Sequence, residues 1–156
     1  MTHKIYYDRT RGQMDGVLTL QSVENGKAVK IFERLPVRSG QPGYLNGGED
    51  DWVRGNGATP YGRHWLNCNP TKMVLMPKNT PFYSISSQKG TKTIFSPGLS
   101  KKRFDIGLHL ENQFKGSAGC CVLIVDTPEQ RKQADELLAF IVRLRQNEPF
   151  IEFEVL

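Results

Sequence analysis

The chain has 156 residues, of which 38% are hydrophobic and 24% are charged, and its formal net charge is +5. This length suits one domain with its own core, and the composition excludes a disordered chain or a coiled coil. No run approaches the ~18 apolar residues that span a bilayer, and the first residues lack the apolar region of a signal peptide, so we expect a soluble globular domain.

The first forty residues predict three short β-strands. Lys4–Tyr7, Gly16–Val23 and Ala28–Val37 are rich in Val, Ile, Leu and aromatic residues. The pair Asn25-Gly26 between the last two strands is typical of a tight hairpin turn, because both turn positions need a positive φ.

A long loop is predicted next, over Gly40–Gly57, since six of these eighteen positions are glycine. Loops of this length in compact domains are more often functional than idle. We expect the loop to cover a cleft as a mobile flap, with Trp52 either as an apolar contact within it or as a surface anchor. Because no helix pattern follows its glycines, a dinucleotide- or phosphate-binding loop is excluded.

The rest of the chain predicts further strands and one helix. The strand patterns are Arg63–Leu66, Met73–Met76, Phe82–Ser86, Lys92–Phe95, Phe104–Leu110, Cys120–Val125 and Phe150–Leu156. Thr127–Gln130 matches a capping box with proline at the first helical position, and apolar residues from Ala134 to Leu144 follow at helical spacing. We therefore predict a mainly β fold, sandwich- or barrel-like, with one amphipathic helix near the C-terminus, in a single domain over residues 1–156.

One predicted strand separates a histidine from the apolar side chains. Because side chains alternate along a strand, Phe104 and the next three apolar residues of Phe104–Leu110 share one face, and Asp105 and His109 share the other. We therefore expect His109 to lie off the core. The adjacent basic cluster Lys101–Arg103 is predicted to be solvated surface, and the scattered basic residues give no nucleic-acid signature.

The three cysteines, Cys68, Cys120 and Cys121, are odd in number and lack the spacing of a disulfide framework, so free thiols are expected. Cys120 follows Gly119 at the start of a buried strand, where glycine permits a tight turn and leaves room for an incoming carbonyl. Amide groups in such a turn can face a developing oxyanion, and a histidine in reach would favour the reactive thiolate. A structural interpretation, a small buried cysteine pair, stays open beside this catalytic one.

Four short motifs resemble, in their order and rough spacing, those of L,D-transpeptidase (YkuD-like) catalytic domains. They are Leu35–Gly40, Ala58–Gly62, His109 and Ser117–Cys120, and the resemblance covers about residues 30–125. The sequence departs from the family at Ala118, where a second histidine is usual, and at Val122, where Asn or Arg is usual. The resulting Ser-x-Gly-Cys pattern is similar to that of a divergent branch of secreted antibacterial effectors.

This resemblance implies a cysteine-dependent enzyme that modifies peptidoglycan without a metal or other cofactor. Cys120 would attack the stem-peptide amide before the terminal D-amino acid, and His109 would act as general base and then general acid. The backbone amides of Gly119 and Cys120 would form the oxyanion hole, while Ser117 would support the turn. The resulting thioester would pass to an amine or to water, which corresponds to L,D-transpeptidase, D-amino-acid exchange or L,D-carboxypeptidase activity.

The resemblance also implies a substrate cleft and a place of action. Tyr61, Arg63 and His64 follow the Thr-Pro-x-Gly turn, and they either line the donor cleft with Trp52 or are ordinary strand residues. The expected partners are peptidoglycan stem peptides and, for an effector, an immunity or secretion protein; neither nucleic acid nor a membrane is expected. The place of action would be the periplasm or cell wall, reached without a signal peptide through a contractile secretion apparatus.

Two other functions fit the same residues. A zinc site is one, because His64, Cys68, His109 and Cys120 or Cys121 offer nitrogen and sulfur ligands, although the adjacent cysteines lack the usual two-residue spacing. A catalytically inert wall-binding or interaction domain is the other. Metal analysis tests the first alternative and a thiol-reactivity assay tests the second.

Overall fold

The computed structural model of the chain describes residues 1–71, 81–111 and 117–156. The strands that it contains are β1 (Thr2–Arg9), β2 (Asp15–Glu24), β3 (Lys27–Arg38), β4 (Gly62–Asn67), β5 (Tyr83–Ser86), β6 (Thr93–Phe95), β7 (Lys102–Phe104), β8 (Gly107–Leu110), β9 (Cys121–Leu123) and β10 (Phe150–Val155). One α-helix, α1 (Pro128–Leu144), lies between β9 and β10, and short 3₁₀ turns occupy Gly48–Trp52 and Pro97–Leu99. The prediction of a mainly β fold with one helix near the C-terminus is confirmed. The predicted strand Met73–Met76 lies outside the described residues.

Eight of the strands close into a barrel in the order β1-β10-β4-β5-β8-β9-β3-β2, and β6 and β7 form a separate two-stranded sheet. The C-terminal strand β10 closes the barrel, since it pairs in parallel with β1 and antiparallel with β4. β8 and β9 are also parallel neighbours. This second parallel pair carries the candidate site.

The barrel interior is filled by alternate side chains of its strands and by one face of α1. Fully buried strand residues include Ile5, Leu18, Leu20, Val37, Leu66, Ile85, Leu108, Leu123 and Phe153. The helix contributes Ala134, Leu137, Leu138 and Ile141, as its apolar spacing predicts. The predicted capping box is present, with the Thr127 hydroxyl accepting from the Gln130 N–H and the Gln130 side chain accepting from the Thr127 N–H, both at 3.1 Å.

The prediction of one continuous strand over Phe104–Leu110 is wrong. Asp105 has a φ of 55°, in the left-handed region, and this residue ends β7 before β8 begins. The break changes the alternation on its N-terminal side, so Phe104 is 54% exposed while Arg103 is only 3% exposed. Arg103 is therefore a buried cation, and the prediction that all of Lys101–Arg103 is solvated surface is also wrong.

Candidate active site

His109 lies in β8 with its ring on the outer face of the barrel. Its neighbours Leu108 and Leu110 point into the barrel core, as the alternation of the sequence predicts. The ring is nevertheless only 5% exposed, since it packs against the Phe82 ring at 5.8 Å between centroids. The ring therefore points away from the barrel core, as predicted. It is nevertheless buried, because Phe82 covers it on the outer face.

The hydrogen bond of His109 defines its tautomer. Its Nδ1 lies 2.7 Å from the Leu110 carbonyl oxygen, which only accepts, so Nδ1 carries the proton and Nε2 holds the lone pair of the neutral ring. Burial lowers the pKa of His109, and the bond to Leu110 opposes this shift in part. The ring is therefore neutral near pH 7 and presents Nε2 as a base.

The register of β8 and β9 separates the two adjacent cysteines. Leu108 pairs with Cys121 and His109 pairs with Val122. Paired residues of a sheet share a face, so Cys121 faces the barrel core, where it is fully buried. Cys120 belongs to the opposite face and contacts Phe82 and Val122 there. Cys120, which precedes β9, thus lies on the same outer face as His109. The register puts Val122 directly opposite His109, so Cys120 is a diagonal neighbour two positions away.

Cys120 is a thiol in this state of the protein. Its S–H donates to the Asp105 carbonyl at 3.6 Å, and the residue is 8% exposed. Burial raises the pKa of Cys120 to about 11, although the Gly107 N–H and the Arg103 charge both lower it. Burial also raises the pKa of Cys121 well above its ordinary value. The Gly107 N–H and the Arg103 charge therefore favour the thiolate of Cys120, whereas burial disfavours it.

The cover over Cys120 includes the aromatic ring of Phe82. A Cβ built on Gly107 would lie 2.3 Å from the Phe82 Cζ, so the ring rests directly on the Gly107 backbone. Gly107 is also the residue whose N–H faces the Cys120 sulfur. Phe82 thus contacts the cysteine, the histidine and the glycine of the site, and sequence reasoning assigned it only to a strand.

Ser117 organises the turn that presents Cys120. Its hydroxyl donates to the Cys120 carbonyl at 2.5 Å and accepts from the N–H groups of Gly119 and Gly40, both at 3.2 Å. One donor and two acceptor sites are the full capacity of a hydroxyl. The predicted role of Ser117, support of the turn, agrees with these bonds. The Gly119 N–H donates to the Ser117 hydroxyl in this structure. It would have to leave this bond to face an oxyanion, so the oxyanion role of Gly119 stays a prediction.

The other two motifs of the family resemblance meet at the same turn. The Thr59 hydroxyl donates to the Gly119 carbonyl at 2.6 Å, and the Ser39 hydroxyl approaches the same oxygen at 3.4 Å. The Thr59 N–H in turn donates to the Ser39 hydroxyl at 2.8 Å. Segments far apart in the sequence therefore hold the backbone of Gly119 from one side.

A buried charged cluster also supports the turn. Arg9 forms an ion pair with Asp51 at 3.0 Å and donates to the Thr59 carbonyl at 2.9 Å. Arg103 donates to the carbonyls of Asp51 at 2.5 Å and Ala118 at 2.5 Å. Sequence reasoning missed these three charged residues, because nothing in the pattern distinguishes them from surface charges.

The predicted flap, Gly40–Gly57, lies beside the Cys120 turn. Ser117 and the loop are joined at Gly40, and Gln41 donates to the Ser117 carbonyl at 3.3 Å. The far end of the loop is attached through Asp51 to the buried cluster, and Arg103 also approaches the Gly57 carbonyl at 3.3 Å. These bonds attach the loop to the Cys120 turn, and its role as a mobile cover of the site stays a prediction.

The structure does not bring the four predicted substrate-binding residues to Cys120 and His109. Tyr61 stacks beneath the Arg9 guanidinium at 4.1 Å, and Trp52 packs partly buried on the barrel core. The Arg63 side chain is 79% exposed on β4, near Glu154. His64 is buried and bonded to the Pro60 carbonyl at 2.8 Å, in register with the core residue Phe153, so it does not line an outer cleft as predicted.

The candidate zinc ligands do not converge either. Cys68 and Cys121 lie in the barrel core, while Cys120 and His109 lie on the outer face. Among the residues that the structure describes, which include all five candidates, no three His, Cys, Asp or Glu side chains are grouped so that they could hold a metal ion. All three cysteines are free thiols, as predicted.

Comparisons with known proteins add no family assignment. No protein-family model matches the sequence, and a search of curated proteins finds no match. No helix in the described ranges is long and apolar enough to cross a membrane.

Proposed function

We propose that the protein is a cysteine acyltransferase or hydrolase of the L,D-transpeptidase type that acts on peptidoglycan stem peptides. The observation that carries the proposal is the pairing of β8 with β9, which places Cys120 and His109 on a common outer face. The neutral ring of His109 holds its lone pair on Nε2. The hydroxyls of Ser39, Thr59 and Ser117 around the Cys120 turn add support, because they belong to the motifs that resemble that family.

In the first half of the proposed reaction, the Cys120 sulfur attacks the amide carbonyl carbon before the terminal D-amino acid. The thiol proton passes to His109 Nε2, and negative charge develops on the carbonyl oxygen. When the tetrahedral intermediate collapses, the carbon–nitrogen bond breaks and His109 returns the proton to the leaving amine. The products are a free D-amino acid and a thioester on Cys120.

In the second half, an amine or water attacks the thioester carbonyl. His109 Nε2 removes a proton from the attacking group, the carbon–sulfur bond breaks, and the sulfur takes the proton back. An amine acceptor gives a new amide, either a crosslink or an exchanged D-amino acid, and water gives a tripeptide. The place of action, the periplasm or cell wall, and delivery as an antibacterial effector through a contractile secretion apparatus belong to the same proposal, as does an immunity or secretion partner.

The experiment is incubation of the protein with tetrapeptide-bearing muropeptides, followed by mass spectrometry. We expect tripeptide products, or exchanged tetrapeptides when a D-amino acid is supplied. Cys120→Ala should abolish turnover, and His109→Gln should reduce it by about 10²-fold or more. Cys68→Ala removes a buried core thiol and serves as the matched control with retained turnover. Unchanged turnover in Cys120→Ala would overturn the proposal.

A second candidate, an inert wall-binding domain, is favoured by one observation. Burial raises the pKa of Cys120 to about 11, whereas a nucleophile that works near neutral pH needs help to ionise. Alkylation by iodoacetamide at pH 7.5 in the presence and absence of muropeptides separates the two candidates. For the enzyme we expect Cys120 to react faster than Cys68 and to be protected by substrate. Equal, slow labelling of both thiols with retained binding to peptidoglycan would favour the inert domain.

A further inference from the structure

The buried cluster behind Cys120 holds more positive than negative charge. Its ionised side chains are Arg9, Arg103 and Asp51, which are 7%, 3% and 2% exposed. Asp51 forms its ion pair with Arg9 at 3.0 Å. In the described part of the chain, no carboxylate lies within ion-pair distance of Arg103, whose guanidinium instead binds backbone carbonyls. The two buried cations therefore share one carboxylate, that of Asp51, whose direct ion pair is with Arg9.

A buried charge without a counter-charge is costly for a folded protein. Desolvation of an ion costs several kcal/mol even after relaxation, and carbonyl dipoles offset only part of this. An anion that binds or forms beside the guanidinium would offset this cost. Burial lowers the pKa of Arg103, and the neighbouring Cys120 and Asp51 oppose that shift when they are negative.

The position of the Arg103 guanidinium indicates which anion it serves. One Nη donates to the Ala118 carbonyl at 2.5 Å, and a Cβ built on Gly119 would lie 2.2 Å from the same nitrogen. The guanidinium thus rests on the two residues that precede the nucleophile. Any side chain at position 119 would displace it, and Gly119 leaves it in contact with the turn.

We propose that Arg103 is the positioning residue of this site and the counter-ion of the Cys120 thiolate, a role that rests on the proposed function only in taking Cys120 as the nucleophile. Its guanidinium ties the Cys120 turn to the Gly40–Gly57 loop through Ala118 and Asp51. When the thiol proton leaves for His109, the sulfur becomes the second anion, and the cluster of two guanidinium groups and two anions is neutral.

Other charged and titratable groups also act on Cys120. Those that face it or the neighbouring part of the sheet are Asp105 between β7 and β8, His109 and Glu111 at β8, Arg38 on β3, and Asp51 and Arg9 behind the turn. Arg38 pairs with Glu111 at 2.8 Å and with Asp15 at 2.7 Å, so its charge is already compensated. Asp105 opposes the thiolate, whereas Arg103 favours it.

The experiment measures the pH dependence of iodoacetamide alkylation at Cys120, with no peptidoglycan present. Arg103→Gln should raise the midpoint by about one pH unit, which is roughly tenfold slower alkylation at a fixed lower pH. Asp105→Asn removes the opposing charge and suits the left-handed backbone at that position, so it should lower the midpoint. Arg103→Lys should restore most of the wild-type profile. Lys132→Gln, which removes an exposed positive charge on α1, should leave the midpoint unchanged.

A merely structural role for Arg103 would give a different pattern. Loosening of the turn would expose the thiol and speed its alkylation in Arg103→Gln at every pH, without raising the midpoint. That result overturns the proposal. If Arg103→Gln does not fold, the ¹⁵N side-chain signals of Arg103 in the wild-type protein provide the test. They should shift with the midpoint of Cys120 and remain fixed in Cys120→Ser; signals that do not follow the thiol overturn the proposal.

The same data distinguish this proposal from the proposed function. The wild-type protein can fail to turn over muropeptides while the alkylation midpoint still shifts in opposite directions in Arg103→Gln and Asp105→Asn. This result supports the counter-ion role of Arg103 and overturns the proposed substrate. Conversely, muropeptide turnover together with an unchanged alkylation midpoint in a folded Arg103→Gln variant supports the proposed enzyme and overturns the counter-ion role of Arg103.

Discussion

Ser117 and Gly40 hold each other through two hydrogen bonds, although 77 residues separate them in the sequence. The Ser117 N–H donates to the Gly40 carbonyl at 3.1 Å, and the Gly40 N–H donates to the Ser117 hydroxyl at 3.2 Å. This reciprocal pair fixes the turn before β9 to the end of β3. The position of Cys120 is therefore set by the barrel and not by a free loop.

Replacement of Ser117 by alanine tests this attachment. Ser117→Ala removes the acceptor of two N–H groups and the donor to the Cys120 carbonyl, so we expect a loss of about 1–3 kcal/mol in the free energy of unfolding. Turnover should fall as well, because the nucleophile is no longer held. Urea unfolding with a muropeptide assay measures both. Ser117→Thr keeps the hydroxyl, and Ser100→Ala, at an exposed position, should change neither quantity; a neutral Ser117→Ala would contradict the assigned role.

Gly119 is required by its backbone and by the space around it. Its φ of 128° disfavours any side chain, and a Cβ would meet Arg103 at 2.2 Å and Ile106 at 2.5 Å. We predict that Gly119→Ala destabilises the protein by more than ~3 kcal/mol. Gly26→Ala is the matched control, since Gly26 also has a positive φ of 75° but open space around it, and it should cost about 1–2 kcal/mol. Equal losses in thermal unfolding would show that the close contact with Arg103 is unimportant.

Phe82 limits access to the thiol of Cys120. Phe82→Ala removes a buried ring that contacts Cys120, so alkylation at fixed pH should be faster by about tenfold, while stability falls by about 3–5 kcal/mol. The core thiols Cys68 and Cys121 in the same sample report global unfolding. Phe104→Ala removes an exposed ring and should alter nothing. Faster labelling of all three cysteines together would attribute the effect to unfolding instead.

Two buried histidines predict a loss of stability in acid. Burial lowers the pKa of His64 and of His109 below 6.5 in the folded state, so the unfolded chain binds more protons as pH falls. Their contribution to stability is full above pH 6.5 and is lost on acidification, at no more than about 1.4 kcal/mol per pH unit for each site. Urea unfolding between pH 7.5 and 5 measures how the free energy of unfolding depends on pH, and this dependence should be weaker in His64→Gln than in the wild type. An unchanged slope would contradict a neutral buried His64.

Local signals in the sequence predicted much of the fold. Asn25 and Gly26 have φ values of 51° and 75°, as the hairpin requires, and Thr127 begins α1 through its capping box. Alternation around Leu108 and Leu110 correctly directed His109 away from the core. These features depend only on residues that are close together in the sequence, so they could be predicted from it.

The remainder of the site depends on contacts between distant segments. Asp105, with its left-handed backbone, ends one strand and leaves Phe104 exposed. The periodicity of the sequence does not predict this break. Arg103 is buried because Ala118 and Asp51 offer carbonyls to it, and Phe82 covers the thiol because Gly107 leaves room for its ring. Such contacts join segments that are distant in the sequence, so composition and spacing could not predict them.

The most direct test of the account is to identify the residue that carries the acyl group. The protein is mixed with tetrapeptide-bearing muropeptides, quenched with acid and analysed by peptide mass spectrometry. We predict a tripeptide-containing thioester on Cys120, which is absent from Cys120→Ala and retained in Cys121→Ala. Turnover that survives in Cys120→Ala and is lost in a folded Cys121→Ala variant would contradict the account.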